Sequence, residues 1–302
     1  MKRSITAFLL LIVLLATGCK SKTALDSNGV PQTLVLAVFG GEDPKMMKEM
    51  NIPIRDYLSK KLKMPVELLF TTDYTAVIEA LKSKKAHMAV LSPFSYIIAT
   101  RATQITPIVV LAYNGVPFSY QSVLITSSKN NIKTIADLKA NAKKLTLCFV
   151  DPASASGHLI PRAYLNSIGL NPDSAFKETM FAGGHLASVL SVKSQKVDVG
   201  CTTSMVFGIM IDKGLLKKGD IRVLWTSPPI VSDPVVVIND LNKDLIKKIQ
   251  QAYLHMDPAI LHNYTKVFLK DTLTRSFMVG NDTMYNGLRK IANGVKDLKQ
   301  NN

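Results

Sequence analysis

The chain has 302 residues, with 37 lysines and arginines against 22 aspartates and glutamates and a formal net charge of +15. A nucleic-acid-binding protein would cluster that charge and place aromatic side chains among it. Here the lysines occur singly and in pairs along the polar faces and ends of predicted helices. The composition therefore argues against a nucleic-acid partner and indicates a solvated positive surface that would attract an anionic solute.

The first residues have the pattern of an export signal. After a positive start, residues 5–16 form an uncharged apolar core that is too short to span a bilayer. The sequence Ala16-Thr17-Gly18-Cys19 resembles the end of a bacterial lipoprotein signal, so residues 1–18 are predicted to be removed and Cys19 to carry the lipid. An ordinary secretory peptide cut nearby is the alternative. Residues 19–32 are polar and predict a tether between the membrane and a folded domain.

Strand and helix patterns alternate along the rest of the chain. Apolar runs predict strands at 34–39, 65–70, 87–91, 107–112, 121–127, 145–150, 178–181, 197–201, 221–226 and 234–238. Helical spacing predicts helices at 43–62, 74–84, 94–102, 135–141, 159–168 and 185–194, and over most of 243–299. This alternation predicts an α/β architecture with mostly parallel sheets.

Two cysteines, Cys148 and Cys201, lie in predicted strands. Their apolar surroundings favour buried free thiols over a disulfide framework. A single bridge between them stays open as an alternative, because an exported compartment can be oxidising.

The most informative segment joins the strand at 145–150 to the helix that follows it. It reads Asp151-Pro152-Ala153-Ser154-Ala155-Ser156-Gly157-His158 and is called the serine loop here. Pro161 lacks an N–H, which places the start of the regular helix within a residue or two of it. The hydroxyls and free amides of the serine loop therefore lie at the positive end of a helix and predict an anion site.

Three further junctions between a strand and a helix carry small or hydroxyl-bearing residues. They are residues 70–74, 91–96 and 181–185, the last of which reads Phe-Ala-Gly-Gly-His. In α/β sheets, ligands bind beyond the carboxyl ends of strands, which is where such junctions lie. Together with the serine loop they predict one polar cleft in which donors outnumber acceptors, as suits a compact oxyanion.

Seven segments carry a family resemblance, and they follow one another in order along the chain. They are residues 39–44, 72–81, 92–96, 149–162, 181–185, 196–198 and 232–234. Through them the chain resembles the PhnD-like phosphate-, phosphite- and phosphonate-binding proteins that serve ABC importers. The resemblance implies a two-lobed class II periplasmic-binding-protein fold. Each lobe would be a mostly parallel sheet flanked by helices, with the ligand in the cleft between the lobes.

The resemblance also implies how the chain is divided and which residues hold the ligand. Residues 33–120 and 232–302 would form one lobe and residues 121–231 the other, with crossings near 120–124 and 226–233. The positions that match the family's binding motifs are Tyr74, Tyr120, Ser154, Ala155, Ser156, Gly157, His185 and Asp233. Many members carry threonine where this chain has Ala155, so one hydroxyl donor is missing here.

Asp233 is the only acid in this set, and a carboxylate repels a doubly charged anion. It fits a ligand that keeps a P–OH proton for it to accept, or the ammonium group of an aminoalkylphosphonate. The second interpretation would be stronger with another acid nearby, but none lies between Asp198 and Asp212. The sequence therefore favours a small ligand such as phosphite, methylphosphonate or phosphate.

Catalysis is not expected. The chain has no Gly-x-Ser-x-Gly elbow, and its five histidines show no metal-ligand spacing, so neither a metal nor another cofactor is predicted. The open alternatives are the same fold tuned to a sulfonate or an arsenic oxyanion, or one that serves a sensor kinase. The expected partners are an ABC permease and ATPase. The protein is expected to act as a monomer, to be anchored to a membrane by its lipid, and to face the periplasm or the cell exterior.

Overall fold

The protein is described by a computed structural model over residues 22–266 and 274–295. The predicted signal at 1–18 and the predicted lipidation site Cys19 lie outside these residues. Within the described ranges, no helix combines the length and the apolar character needed to cross a membrane.

The described residues alternate between strands and helices. The strands are β1 (Leu34–Phe39), β2 (Val66–Thr71), β3 (Met88–Val90), β4 (Ile105–Tyr113), β5 (Val116–Pro117), β6 (Ser119–Tyr120), β7 (Ser122–Ser127), β8 (Thr146–Phe149), β9 (Glu178–Phe181), β10 (Val199–Thr203), β11 (Ile221–Thr226), β12 (Ile230–Val231), β13 (Pro234–Ile238) and β14 (Arg275–Val279). The α-helices are α1 (Pro44–Leu62), α2 (Tyr74–Lys82), α3 (Pro93–Ala102), α4 (Ile135–Asn141), α5 (Ile160–Ser167), α6 (Pro172–Ala175), α7 (His185–Lys193), α8 (Val206–Asp212), α9 (Lys243–Leu254), α10 (Pro258–Thr265) and α11 (Asn286–Gly294). Short 3-10 helices cover Ala142–Lys144 and Asp282–Tyr285, and a π-helical turn covers Ala155–Leu159.

The first sheet has the strand order β14-β4-β13-β3-β1-β2, with β5 paired to β4. β1 reads Leu-Val-Leu-Ala-Val-Phe, and all six residues are buried, as expected for a strand that is covered on both faces. Its core combines side chains of β1, β3, β4 and β13 with those of the surrounding helices. This sheet and its helices are called the first lobe.

The second sheet has the order β11-β7-β10-β8-β9, and with its helices it forms the second lobe. Two hydrophobic clusters cover its two faces, one containing Cys201 and Leu147 and the other Cys148 and Val189. Cys148 lies opposite Gly200 in the register of β8 and β10. Because successive residues of a strand point to opposite faces, Cys148 and Cys201 lie on different sides of the sheet. Both are free thiols, and this geometry excludes a bridge between them.

The chain passes between the lobes at a short antiparallel ribbon of β6 and β12. In this ribbon Ile230 pairs with Tyr120 and Val231 with Ser119. β4 and β13 belong to the first sheet, whereas β7 and β11 belong to the second. The two crossings therefore lie side by side. Such a hinge can change the angle between the lobes through a few backbone dihedrals.

One prediction from the sequence is wrong, and one strand was missed. The sheets are mixed rather than mostly parallel: β1 is parallel to β2 and β3, and β8 to β9 and β10, but β7 and β13 run antiparallel to both of their neighbours. Each of these two strands follows a crossing and so enters its sheet from the hinge, not from a β-α-β connection. Helices do fill most of the described part of residues 243–299, as predicted, but the sequence missed β14, a strand at the sheet edge that runs antiparallel to β4.

Candidate functional site

The serine loop leaves β8 and turns into α5 through the π-helical turn. Ser154 caps this turn, since its Oγ accepts the N–H of Gly157 at 3.0 Å. Ser122 on β7 supports the loop from the sheet, its Oγ donating to the carbonyl oxygen of Ser156 at 2.6 Å. The first N–H groups of a helix have no acceptor within the helix. The amides of Ala155 and Ser156, which begin this turn, are therefore donors that a bound anion can use.

Gly157 is required by the packing of the loop. A Cβ at this position would lie 2.3 Å from the Cβ of Val150, closer than non-bonded carbon atoms approach. The backbone of the two residues is also joined, because the N–H of Val150 donates to the carbonyl oxygen of Gly157 at 3.0 Å. Only a residue without a side chain lets the turn lie this close to the end of β8.

His158 supports the loop, because both of its ring nitrogens are bonded within the protein. Its Nδ1 lies 2.7 Å from the carbonyl oxygen of Pro152, and its Nε2 accepts from Nε of Arg162 at 2.9 Å. Arg162 in turn donates to both carboxylate oxygens of Asp173, at 2.7 and 2.9 Å. Burial lowers the pKa of His158 to about 4, so the imidazole is neutral and holds the loop through fixed hydrogen bonds.

Two buried tyrosines carry hydroxyls from the first lobe and the hinge toward the cleft. The ring of Tyr74 stacks on Phe39, with 4.1 Å between the ring centroids. Burial raises the pKa of Tyr74 and of Tyr120 well above the usual value, and nearby carboxylates add to this effect. A hydrogen bond with the Ser156 side chain partly lowers the pKa of Tyr120. Both tyrosines are therefore neutral donors, and Tyr120 reaches the serine loop.

His185 opens α7, and a carboxylate from the other lobe caps this helix. Glu42, in the loop after β1, accepts the N–H of His185 at 2.6 Å and that of Leu186 at 3.0 Å. The positive end of the helix dipole stabilises a carboxylate in this position. Nδ1 of His185 lies 3.1 Å from Oγ1 of Thr202, which leaves Nε2 as the ring atom for a ligand. Burial lowers the pKa of His185, so the ring is neutral at neutral pH.

Further contacts hold the lobes together in this structure. Ser92 and Ser95, at the start of α3, donate their hydroxyls to the carbonyl oxygen of Ala153 in the serine loop at 3.0 and 2.9 Å. Lys213 of the second lobe forms an ion pair with Asp43, the N-cap of α1. With the Glu42 contact, these bonds describe a closed cleft.

Asp233 lies between the second crossing and β13. It lines a cavity of about 170 Å³ together with Tyr74 and Tyr120. Burial raises the pKa of Asp233 to about 7, because the charged carboxylate is poorly solvated there. A group with this pKa can hold or accept a proton in the neutral range.

The structure thus gathers the predicted site residues around one cleft. Tyr74, Tyr120 and Asp233 line the same cavity, while the serine loop and His185 approach from the second lobe. Ala155 has a fully buried side chain, so only its backbone amide can serve a ligand. Sequence reasoning assigned no role to Glu42, although this residue lies in one of the matching segments.

Asp151 is a second acid that the sequence did not single out. Its carboxylate accepts the N–H of Ala153 at 2.7 Å, and burial raises its pKa. Across the described ranges, no group of three or more histidine, cysteine, aspartate or glutamate side chains could hold a metal ion.

Comparison with known proteins identifies the family to which the chain is similar. A family model described as ABC transporter, phosphonate, periplasmic substrate-binding protein matches residues 36–284. The chain is similar to the phosphate-import protein PhnD of Mycolicibacterium smegmatis, with 31% identity over 256 residues, 80% of this chain and 78% of that protein. It is similar to the phosphonates-binding periplasmic protein of Escherichia coli, with 29% identity over 225 residues, 74% of this chain and 66% of that protein.

Solved structures share the fold. The binding-protein component of a phosphonate ABC transporter from Pseudomonas aeruginosa matches with a TM-score of 0.77 and 23% identity, over 88% of this chain and 87% of that one. The predicted two-lobed α/β fold is confirmed. So is the prediction of an extracytoplasmic solute-binding component of an ABC importer that is not an enzyme. The chain belongs to the family of periplasmic substrate-binding proteins of phosphonate ABC transporters.

Proposed function

We propose that the protein captures a small phosphorus oxyanion, which is phosphite, a phosphonate or phosphate, and delivers it to an ABC permease and ATPase. The observation that carries this proposal is the set of uncharged donors around one cleft, contributed by the serine loop, His185, Tyr74 and Tyr120. Relatives differ in their named solutes, phosphate for one and phosphonates for another. The anion therefore has to be inferred from the site itself.

Each proposed contact follows from the hydrogen-bonding capacity of its group. The amides of Ala155 and Ser156 and the serine hydroxyls would donate to one side of the anion, while the N–H of Gly157 is held by Oγ of Ser154. Nε2–H of His185 would donate beside them when Nδ1 accepts from Thr202. The tyrosine hydroxyls would donate from the first lobe and the hinge, at the flank of the anion. Hydrogen bonds to a charged acceptor contribute about 1.5–3 kcal/mol each, so this arrangement can hold an oxyanion without a bound cation.

The charge around the site favours an anion that keeps one proton. Tyr74 lies close enough to Glu42, Asp233 and Asp151 for all three carboxylates to raise its pKa. A dianion would be repelled by these groups, whereas a P–OH group could donate to Asp233 in a short charge-assisted bond. An ammonium group on the ligand would satisfy Asp233 equally well, and the pH dependence of binding separates the two cases.

Capture would proceed by closure of the lobes. Residues 33–120 with 232–302 would form one rigid half and residues 121–231 the other. The ligand would contact the serine loop and His185 on one lobe and Tyr74 on the other. Because the open state would lack some of these contacts, the ligand would bind the closed state more tightly and so favour it. The closed form would then dock on the permease as a monomer.

We propose that Cys19 carries a lipid and that residues 19–32 act as a tether at the membrane surface. The polar composition of this segment supports the proposal, because it would let the folded lobes move freely near a permease. Mass spectrometry of protein purified from membranes should show a lipid on Cys19, and Cys19→Ala should release the protein into the soluble fraction. Unchanged membrane retention in Cys19→Ala would contradict the anchor.

A ligand screen tests the central proposal. Purified protein is heated with phosphite, methylphosphonate, aminoethylphosphonate, phosphate or sulfate, and binding is then measured by calorimetry. A ligand at 100 times its Kd stabilises the folded state by about 2.7 kcal/mol, which raises Tm measurably. At least one phosphorus anion should do this and sulfate should not. No shift with any phosphorus anion would contradict the proposal.

A further inference from the structure

The cavity beside Asp233 extends into the first lobe as a largely apolar chamber. Its wall includes Phe39, Met47, Met50, Leu111, Phe118 and Phe277. No residue from Ser154 to His158 lines it, and neither does His185. The apolar chamber is therefore a space next to the oxyanion donors and not the place where the oxygen atoms themselves would bind.

The chamber and the anion site share Tyr74, Tyr120 and Asp233 in their common wall. A phosphonate has three oxygen atoms and one carbon substituent arranged as a tetrahedron. When its oxygen atoms face donors on the serine loop and His185, the carbon substituent points to the opposite side. That side is the first lobe, where the apolar chamber lies.

The size of the chamber exceeds what a bare oxyanion needs. Its volume is about 170 Å³, whereas an apolar cavity of about 150 Å³ is enough to bind benzene. Phosphite, phosphate and methylphosphonate would leave most of this space unfilled. Burying an apolar substituent there contributes about 0.8 kcal/mol for each methylene group, which equals about a fourfold gain in affinity.

One polar atom in the chamber wall has no partner. The Oγ atom of Ser232 is buried and makes no hydrogen bond with any described residue, and the residue as a whole is 5% exposed. Its backbone is fully used, since its N–H donates to the carbonyl oxygen of Phe118 and its carbonyl oxygen accepts from the hydroxyl of Tyr285, both at 2.9 Å. A buried hydroxyl without a partner is unfavourable, so this atom marks a place where a ligand atom can bond.

On the basis of the proposed function, we infer that the solute is an organophosphonate with a carbon substituent of about four to six heavy atoms. The substituent fills the apolar chamber and carries one hydrogen-bonding group, such as a hydroxyl, that reaches Ser232. This ligand is larger than the small anions that the sequence favours.

Calorimetry with methyl-, ethyl-, propyl- and butylphosphonate tests the apolar part of the inference. Affinity should rise about fourfold with each added methylene group as far as butyl. An affinity that stays flat or falls from methyl to butyl would overturn the inference. The proposed function is tested separately by whether any phosphorus anion binds, phosphite and phosphate included. If phosphite or phosphate binds and no member of the alkyl series does, the inference fails and the proposed function stands.

Two variants locate the substituent. Met47 lines the chamber and is half-buried, whereas its neighbour Lys48 is exposed on the same helix. Met47→Trp should weaken butylphosphonate at least tenfold more than it weakens methylphosphonate, while Lys48→Trp should change neither affinity. Butylphosphonate binding to Met47→Trp with the affinity of the unchanged protein would show that the substituent lies elsewhere.

Ser232→Ala tests the polar part. The unchanged protein should bind 4-hydroxybutylphosphonate several-fold more tightly than butylphosphonate, because the hydroxyl satisfies Ser232. The Ser232→Ala variant should lose this preference and bind the two phosphonates with similar affinity. A preference that is absent from the unchanged protein, or that survives in the variant, would contradict the assigned contact.

Discussion

Glu42→Gln should weaken ligand binding because Glu42 bonds the second lobe across the closed cleft. Its two carboxylate oxygens accept the N–H groups of His185 and Leu186 at 2.6 and 3.0 Å. A glutamine keeps one neutral oxygen and loses the charge and the second acceptor. Hydrogen bonds to charged groups contribute about 1.5–3 kcal/mol, so closure should become less favourable by about that amount. The affinity for the tightest phosphorus anion should fall roughly 10- to 150-fold.

The assay combines calorimetry with small-angle scattering of the free and liganded protein. Glu42→Gln should show the weaker affinity and a more open shape at a given ligand concentration, with an unchanged Tm in the absence of ligand. Glu49→Gln is the matched control, since Glu49 lies on α1 with a side chain that is 67% exposed and, among the described residues, pairs only with the exposed Lys45. Equal or tighter binding by Glu42→Gln would refute the inference that this carboxylate stabilises the closed state.

Three further predictions concern single residues of the site. His185→Ala should weaken anion binding by about 1–3 kcal/mol in calorimetry, and an unchanged Kd would remove His185 from the site. Gly157→Ala should destabilise the fold by about 1–3 kcal/mol, because the added Cβ would lie 2.3 Å from the Cβ of Val150. Urea unfolding measures this loss, and unaltered stability would show that the turn tolerates a side chain. Asp233→Asn should increase the free energy of unfolding above pH 7 by at most about 4 kcal/mol. This limit is the difference between the ordinary pKa of 3.8 and the raised pKa of about 7, multiplied by 1.36 kcal/mol for each pH unit. In the unchanged protein the free energy of unfolding falls as pH rises from about 4 to 7, because the Asp233 carboxyl is ionised in the unfolded state and still protonated in the folded state. Equal stability of the two proteins at pH 4 and at pH 8 would disprove this prediction.

Much of the local structure could be predicted because each element carries its own signal. β1 and β8 are continuous apolar runs, which report burial on both faces. α1 begins where the sequence places Asp43 before Pro44, an N-cap followed by a residue that needs no N–H donor. The serine loop could be recognised for the same reason, since its hydroxyls and its glycine lie between a clear strand and a clear helix.

Strand direction and the edge of the first sheet could not be predicted in this way. β14 reads Arg-Ser-Phe-Met-Val and pairs with β4, which lies far earlier in the chain. Its extended state depends on that partner more than on its own residues. The direction of β7 and β13 is likewise set by the hinge, and a local pattern of apolar residues carries no information about direction.

The residues of the site were predictable in type but not in their contacts. The sequence indicated His185 as a candidate, yet its bond with Glu42 joins residues 143 positions apart. The apolar chamber arises only when methionines of α1 pack against strands of the first sheet. Such features depend on tertiary packing, and no spacing rule along the chain reveals them.

A crystal structure of the protein with methylphosphonate would test the central claim most directly. The account predicts the phosphorus atom in the cleft between the lobes, with oxygen atoms within hydrogen-bond distance of the serine-loop amides, of Nε2 of His185 and of the hydroxyl of Tyr74. Its methyl group should point toward the apolar chamber. A methylphosphonate bound outside this cleft, or bound in it without contact to the serine loop, would contradict the account.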